Sequence, residues 1–401
     1  MKKKSPFNFT FILSVILFLS HVDNSVAQIA NSYPNDSNIQ TDPNVVFTEM
    51  FEQDSVSNLL SGYTNLTNPT NISFSSSVPP GSNGTQSGKF TTYHTSNSVR
   101  ATEIRKQFTN TISDSVFVRF YVKYNDTHIH HHSGIWLIGA NPANSCFPCI
   151  LTGSSTPFVS DSVFSLGAEL TGSTINPQTN SRFALYNKWM GMHPLNSGIY
   201  YGNEFLHSNP IDIINTTQWN CIEVMLKLNN PTTDSTGEAK LWINGQLITH
   251  LGKGFPNGAW NQLNFTIGAG TPFDGFRWRL NPLVVFNSIW IKNYTDVYSD
   301  PNPNDILYDH IVVAKNYIGP ISTNTMGVND IDNQKDITFY PNPANEIVNF
   351  SSIIENLSIK NIFGQIVLQA KGISNISTEA LKDGLYIIQA DSRIYKLIIK
   401  H

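Results

Sequence analysis

Charge is scarce in this chain: Asp, Glu, Lys and Arg make up 13% of its 401 residues. That leaves no basic stripe to follow a phosphate backbone, so no nucleic-acid partner is expected. Cysteine is rarer still, with Cys146, Cys149 and Cys221 the only three. Zinc ribbons need two Cys-x-x-Cys pairs, and only one occurs, in the loop Cys146-Phe147-Pro148-Cys149. A local disulfide closing that loop is the reading that suits an oxidising compartment. Cys221 sits in an apolar strand as a buried thiol, with a Cys149–Cys221 bond as the alternative. Long apolar runs are missing as well. Only Phe9 to Leu19 comes close, and it is too short to span a bilayer. Lys2, Lys3 and Lys4 precede it and Ser25-Val26-Ala27 follows, so Met1 to Ala27 reads as a secretory signal, with no transmembrane segment in the mature chain.

Helical periodicity is almost absent too, while Asn, Ser, Thr, Gly, Pro and aromatics abound. Short alternating strands recur between turn signals, which points to an all-β sandwich. Strands are expected at Val45 to Glu52, Val99 to Phe108, Phe117 to Lys123, Val163 to Leu170, Arg182 to Tyr186 and Gly198 to Tyr201. Further ones are expected at Trp219 to Leu228, Glu238 to Ile243, Gln246 to His250, Phe276 to Leu280, Val284 to Ile291 and Ile311 to Ala314. Asn244-Gly245 is a two-residue hairpin signal. Gln28 to Asn44 has no periodicity and reads as a flexible leader. The domain layout is therefore signal 1–27, leader 28–44, a large β domain 45–321, a polar linker 322–336 and a small β unit 337–401.

The stretch Phe117 to Gly139 carries the densest chemistry. An alternating strand runs through Asn125-Asp126 into His128, His130, His131 and His132, then into a second apolar strand. If the strand resumes at Thr127, His128, His130 and His132 share a face. Same-face neighbours on a strand stand roughly 6.5–7 Å apart, so three in a row seldom converge on one ion, and no metal site is assigned. On the earlier strand, alternation places Glu103 and Arg105 on one face and Ile104 on the other. Paired carboxylates of the Glu-x-Asp-x-x-Glu kind are absent, which argues against retaining hydrolysis. Abstraction of a proton beside a uronate carboxylate needs different parts: a cation or amide to neutralise that carboxylate, and a His or Tyr to move the proton. Trp189, Tyr200, Tyr201, Trp260, Trp278 and Trp290 could stack on sugar rings.

Four blocks at the end of the chain resemble the type A C-terminal sorting domain of the Bacteroidetes type IX secretion system: Phe339-Tyr340-Pro341-Asn342-Pro343-Ala344, Ile359 to Gln365, Leu381-Lys382-Asp383-Gly384-Leu385-Tyr386 and Tyr395 to Lys400. That resemblance implies export by the type IX machinery, with release or attachment at the surface. Trp219 to Asn229, the hairpin Gly237 to Gly245 and the strand Asp309 to Pro320 are similar to the concanavalin A-like jelly-roll superfamily of secreted carbohydrate-active proteins. Tyr201-Gly202-Asn203, His250-Leu251-Gly252 and Phe276-Arg277-Trp278-Arg279 resemble motifs of exported bacterial proteins without assigned activity. Jelly-roll alginate lyases carry an Arg-x-Glu-x-Arg strand, a Gln-x-His strand and a later Tyr strand. Here Glu103 and Arg105 match the end of the first motif, its leading Arg falls on Ala101, and His128-Ile129-His130 has His in place of Gln.

The resemblance implies a secreted polysaccharide-active protein, a lyase that cleaves a uronate-containing polymer by β-elimination. A non-catalytic glycan-binding or surface-adhesion module is the alternative. Arg105, His130 and one of Tyr200, Tyr201 or Tyr186 are the expected catalytic groups. Glu103, His128, His132, Trp189, Asn203, Arg277 and Arg279 are expected to contact the sugar. No cofactor is expected; structural calcium is common among jelly rolls, but no ligands for it can be named from this sequence.

Overall fold

The computed structural model describes residues 28–93, 101–124, 132–143, 153, 155, 163–171, 181–294, 303–323, 338–361, 366–390 and 393–401. The secretory signal, His128, His130, His131, Cys146, Cys149 and linker residues 324–336 lie outside them. The chain divides after Thr325 into two compact units.

Eighteen strands build the first unit among the described residues. They are β1 (Val45–Glu49), β2 (Asn65–Thr67), β3 (Ile72–Ser75), β4 (Ser87–Tyr93), β5 (Ala101–Ile112), β6 (Ser115–Tyr124), β7 (Gly134–Ala140), β8 (Val163–Thr171) and β9 (Arg182–Lys188). Then follow β10 (Asn203–His207), β11 (Asn220–Lys227), β12 (Glu238–Ile243), β13 (Gln246–Leu251), β14 (Asn257–Asn261), β15 (Asn264–Ile267), β16 (Thr271–Pro272), β17 (Phe286–Tyr294) and β18 (Pro303–Ala314). They form a β-sandwich of two sheets. One has eight strands in the order β13-β12-β11-β6-β18-β4-β3, with β1 also paired to β18. The other has ten, β16-β14-β15-β10-β9-β8-β7-β17-β5-β2.

Alternation explains the core between them. Val118, Phe120 and Val122 of β6 point inward to meet Ile104, Ile135, Leu137, Phe183, Leu185, Ile289 and Ile291 of the larger sheet. Strand β7 (GIWLIGA) is buried at every position, so its other face is covered as well. A strand enclosed on both sides reads as a continuous apolar run. Asn244 and Gly245, with φ of 50° and 82°, form the expected hairpin between β12 and β13.

Three expectations change. Gly198 to Tyr201 gives no strand, only a bridge at Tyr200, and Phe276 to Leu280 contributes only the bridge Gly237–Phe276. Residues 28–44 are not loose: three 3-10 turns pack on the outer face of β18, with Ile29, Ala30 and Ile39 buried. Two isoleucines in a polar segment suffice to dock it, because the segment covers Val312 and Ala314, which otherwise face water. Cys221 is a buried free thiol, and burial pushes its pKa up to about 12.

The second unit has its own core, built on Val348, Ile354, Ile359, Ile388, Leu397 and Ile399. Its motifs have local causes. Asn342 of the Pro-Asn-Pro block accepts the Ile398 N–H at 2.8 Å and donates to the Lys396 carbonyl at 2.9 Å, clipping the last strand. Tyr386 donates to the Lys382 carbonyl at 2.8 Å, closing the turn that the Leu-Lys-Asp-Gly block encodes.

Candidate functional site

The outer face of the ten-stranded sheet is the polar one. Pairing registers lay its residues in three rows. The first reads Glu103, Lys292, Gly134, Glu169, Ala184; the second Arg105, Trp290, Trp136, Gly167, Tyr186, Glu204; the third Gln107, Ser288, Ile138, Ser165, Lys188. Glu103 and Arg105 thus share a face with the strand that follows the histidine stretch, two strands away across β17.

At the centre stands His132, at the entrance to β7. Its Nδ1 lies 2.7 Å from Glu169 Oε1, and the other carboxylate oxygen accepts the Trp136 indole N–H at 2.7 Å. An ionised carboxylate is acceptor-only, so Nδ1 carries the proton and Nε2 is the nitrogen that can receive one. The His132 ring sits 4.6 Å from the Tyr186 ring, centroid to centroid, and 5.9 Å from that of Trp136. Its side chain is 22% exposed, whereas that of Glu169 is 2% exposed. His132 has φ of 54°, a left-handed backbone that a non-glycine residue adopts only when its surroundings hold it there.

Two glycines make room for this cluster. A Cβ on Gly167 would stand 2.7 Å from Trp136 Nε1, so glycine lets the indole lie across β8 and reach Glu169. A Cβ on Gly202 would stand 2.2 Å from the Tyr186 ring, and the Gly202 N–H donates to the Tyr186 hydroxyl.

Positive charge lies beside the dyad. Lys292 Nζ is 4.1 Å and 4.2 Å from the ring centroids of Trp136 and Trp290, and 3.9 Å from Glu103 Oε1. Burial lowers the Lys292 pKa, with Glu103 and Glu169 opposing; burial raises that of Glu103, with Lys292 opposing. Tyr186 is held well above the usual phenol range by burial and by Glu169 and Glu204, so it stays protonated. Arg105 is buried and donates through Nη2 to Ser288 Oγ at 2.8 Å and to the Ala143 carbonyl at 2.9 Å.

The remaining expected residues lie elsewhere. Asn203 is buried and braces a loop, bonding His193 through both its side-chain atoms and the Leu263 carbonyl at 2.9 Å. Arg279 donates to the carbonyls of Pro282, Val284 and Ser113. Trp189 is buried, while Tyr200 only packs against the core. Tyr201 is 44% exposed, outside the three rows. Arg277 lines a separate cavity of about 210 Å³ with Trp189, His193, Trp260 and Asp274. Of the seven tryptophans none is exposed: Trp136, Trp189, Trp278 and Trp290 are buried, and Trp219, Trp242 and Trp260 are partly so. Among the described residues no group of three or more His, Cys, Asp or Glu is placed to hold a metal, and no helix is long and apolar enough to cross a membrane.

Glu169, Trp136 and Lys292 were not singled out from sequence. The available signal was one charge inside an apolar alternation, Glu169 in VFSLGAELT and Lys292 in FNSIWIKNY, which marks a buried charge in need of a partner.

No curated protein matches the chain. Among solved structures it is similar to the alginate lyase Aly36B at 11% identity, covering 68% of this chain and 98% of that one, with a TM-score of 0.43. An alginate lyase, vAL-1, from Chlorella virus gives 12%, 68%, 100% and 0.40 in the same order. The endo-β-1,4-glucuronan lyase from the fungus Trichoderma reesei gives 12%, 69%, 100% and 0.37. Residues 338–400 match the family described as the secretion system C-terminal sorting domain. The chain thus ends in a sorting domain of the type IX secretion system and is an exported protein, secreted or attached to the cell surface.

Proposed function

We propose that this protein is a polysaccharide lyase acting on a uronate-containing polymer. The observation that carries the reading is the His132–Glu169 dyad set against Tyr186, on the face that also holds Arg105 and Lys292. His132 Nε2 takes the proton from the carbon beside the uronate carboxylate. Those electrons form the double bond as the adjacent carbon–oxygen glycosidic bond breaks, and the leaving oxygen takes the Tyr186 hydroxyl proton. Lys292 and Arg105 supply the positive field that steadies the enolate-like charge on the carboxylate. Tyr186 stays protonated and so has a proton to give, and the tautomer fixed by Glu169 suits a base.

His128 and His130 keep their expected place as sugar contact and catalytic group in the proposal, and His132 joins them as base. Incubation of the full chain with alginate and glucuronan, read by ultraviolet absorbance of the unsaturated product, tests it. His132→Ala is expected to lower the rate by about 10²–10⁴-fold, the span a positioned acid or base supplies. A folded wild-type chain inert on the whole uronate panel sinks the reading. The glycan-binding alternative calls for an exposed tryptophan platform, and no exposed tryptophan supports it.

A further inference from the structure

The loop Pro79-Pro80-Gly81-Ser82-Asn83-Gly84 lies on the other sheet, beside the packed segment 28–44, and takes no part in the elimination. Its serine meets a second histidine–carboxylate pair. His310 Nε2 is 2.7 Å from Ser82 Oγ, and His310 Nδ1 is 2.7 Å from Asp36 Oδ2. His310 and Asp36 are 2% and 4% exposed, while Ser82 is partly exposed. We propose that Ser82, His310 and Asp36 form a nucleophilic triad that hydrolyses small acyl esters.

With a neutral imidazole the chain of hydrogen bonds has only one polarity. Arg119 donates to both oxygens of Asp36, through Nη1 to Oδ1 at 3.2 Å and through Nη2 to Oδ2. Burial disfavours the Asp36 charge, but Arg119 and the bond from His310 outweigh it and hold its pKa below the ordinary value. A carboxylate so held is acceptor-only, so His310 Nδ1 donates and Nε2 must accept the Ser82 O–H. That is the arrangement a serine needs to lose its proton on attack.

Backbone strain is concentrated on the same atoms. Asp36 has φ of 58° and His310 φ of 46°, both left-handed and neither a glycine. His310 also sits where the β18–β6 register slips between Asp309 and Val312, a bulge that re-aims its side chain. A histidine in regular β18 would continue the alternation; here the kink turns it toward Asp36 and Ser82.

Ser82 Oγ attacks the ester carbonyl carbon while its proton passes to His310 Nε2. The tetrahedral oxyanion forms beside the Gly84 N–H, which donates to Ser82 Oγ at 2.9 Å in the resting site. The carbon–oxygen bond to the alcohol then breaks, and the alcohol departs with the proton from Nε2. Water attacks the acyl-serine by the same route, giving the carboxylic acid and restoring Ser82. Ile321 and Thr323 pack against Gly81 and Asn35 Nδ2 holds the Gly81 carbonyl at 2.6 Å, which walls the loop beside Ser82 and makes a short acyl group the one proposed.

The full chain is treated with a fluorophosphonate, the adduct is mapped by peptide mass spectrometry, and p-nitrophenyl acetate turnover is followed. One adduct is expected, on Ser82. Ser82→Ala removes a partly exposed hydroxyl, keeps the fold by circular dichroism, and is expected to lose both label and turnover. Asp36→Asn, scored per folded molecule, is expected to slow labelling by about 10³-fold through loss of the tautomer. A folded wild-type chain whose Ser82 stays unlabelled, or a Ser82→Ala chain that keeps turnover, overturns the triad and leaves a clasp for residues 28–44. Ester hydrolysis and uronate elimination are separate assays, so this result is independent of the lyase reading.

Discussion

Two of the sandwich's histidine–carboxylate pairs, one on the outer face of each sheet, are built alike. In each, Nδ1 lies 2.7 Å from a buried carboxylate, and each histidine has a left-handed backbone. They differ in what else holds the carboxylate and in what Nε2 can meet. Glu169 is held by an indole N–H with the Lys292 charge nearby, Asp36 by a guanidinium bonded to both its oxygens. The His132 side chain is 22% exposed beside a phenol and the His310 side chain 3% exposed beside a hydroxyl. On the two proposals a shared orienting device serves two chemistries: a partly exposed imidazole beside a protonated phenol for proton transfer on a polymer, and an enclosed one behind a serine for acyl transfer on a small group.

The sharpest way to break this comparison is to remove one charge and watch the imidazole. Glu169→Gln presents one carbonyl and one amide to His132 and Trp136, both of which donate. If the amide faces His132, Nδ1 becomes the acceptor and Nε2 carries the proton, so the base is lost. If the carbonyl faces His132, an amide N–H opposes the indole N–H in a buried site. Either way the elimination rate is expected to fall about 10³-fold, with ester hydrolysis unchanged. Equal losses in both assays would mean that the two pairs are not separate.

Next in size is the packing under Tyr186. Gly202→Ala puts a Cβ 2.2 Å from the ring, which must move away from His132. Overpacking of this kind costs about 1–3 kcal/mol, and kcat for elimination is expected to drop about 10–100-fold with KM nearly constant. An unaltered kcat would remove Tyr186 from the reaction.

Much of this was legible beforehand, and the limits have physical causes. Period-two alternation placed Glu103 and Arg105 opposite Ile104, and the structure agrees because that strand is half core and half polar face. The Tyr201-Gly202-Asn203 motif was legible but its roles were not: Gly202 is small for Tyr186, and Asn203, expected at the sugar, braces a loop 10 residues upstream. Residue type alone does not say whether a guanidinium meets a sugar carboxylate or loop carbonyls, and Arg279 meets carbonyls. The partner of His132 lies 37 residues on, at a distance that only strand register closes. Residues 28–44 have the composition of a disordered tail, yet one acidic group, Asp36, reaches a buried arginine. Composition averages over a segment; docking depends on two or three positions in it.

The smallest effect expected is on stability, and it reads the charges under residues 28–44 by pH. Beside Arg119, burial raises the Glu223 pKa to about 7, although the Ile318 and Gly319 N–H groups donate to it, and raises that of Asp309 to about 8. Both folded values lie above the unfolded ones, so the folded chain binds more protons between about pH 4 and 8. The stability these groups contribute is complete below that window and is lost as pH rises through 7 and 8. Asp36 has the opposite sign: its lowered pKa contributes stability that is lost only in acid. Each raised carboxyl contributes on the order of 1–3 kcal/mol across the window, which amounts to a few degrees in Tm. Melting from pH 5 to 8 should therefore show a falling Tm, and Glu223→Gln should flatten the slope through pH 7 by removing the titration. A Tm that rises over that range, or a slope that Glu223→Gln leaves intact, would show that the charges under residues 28–44 are not the ones that couple this fold to protons.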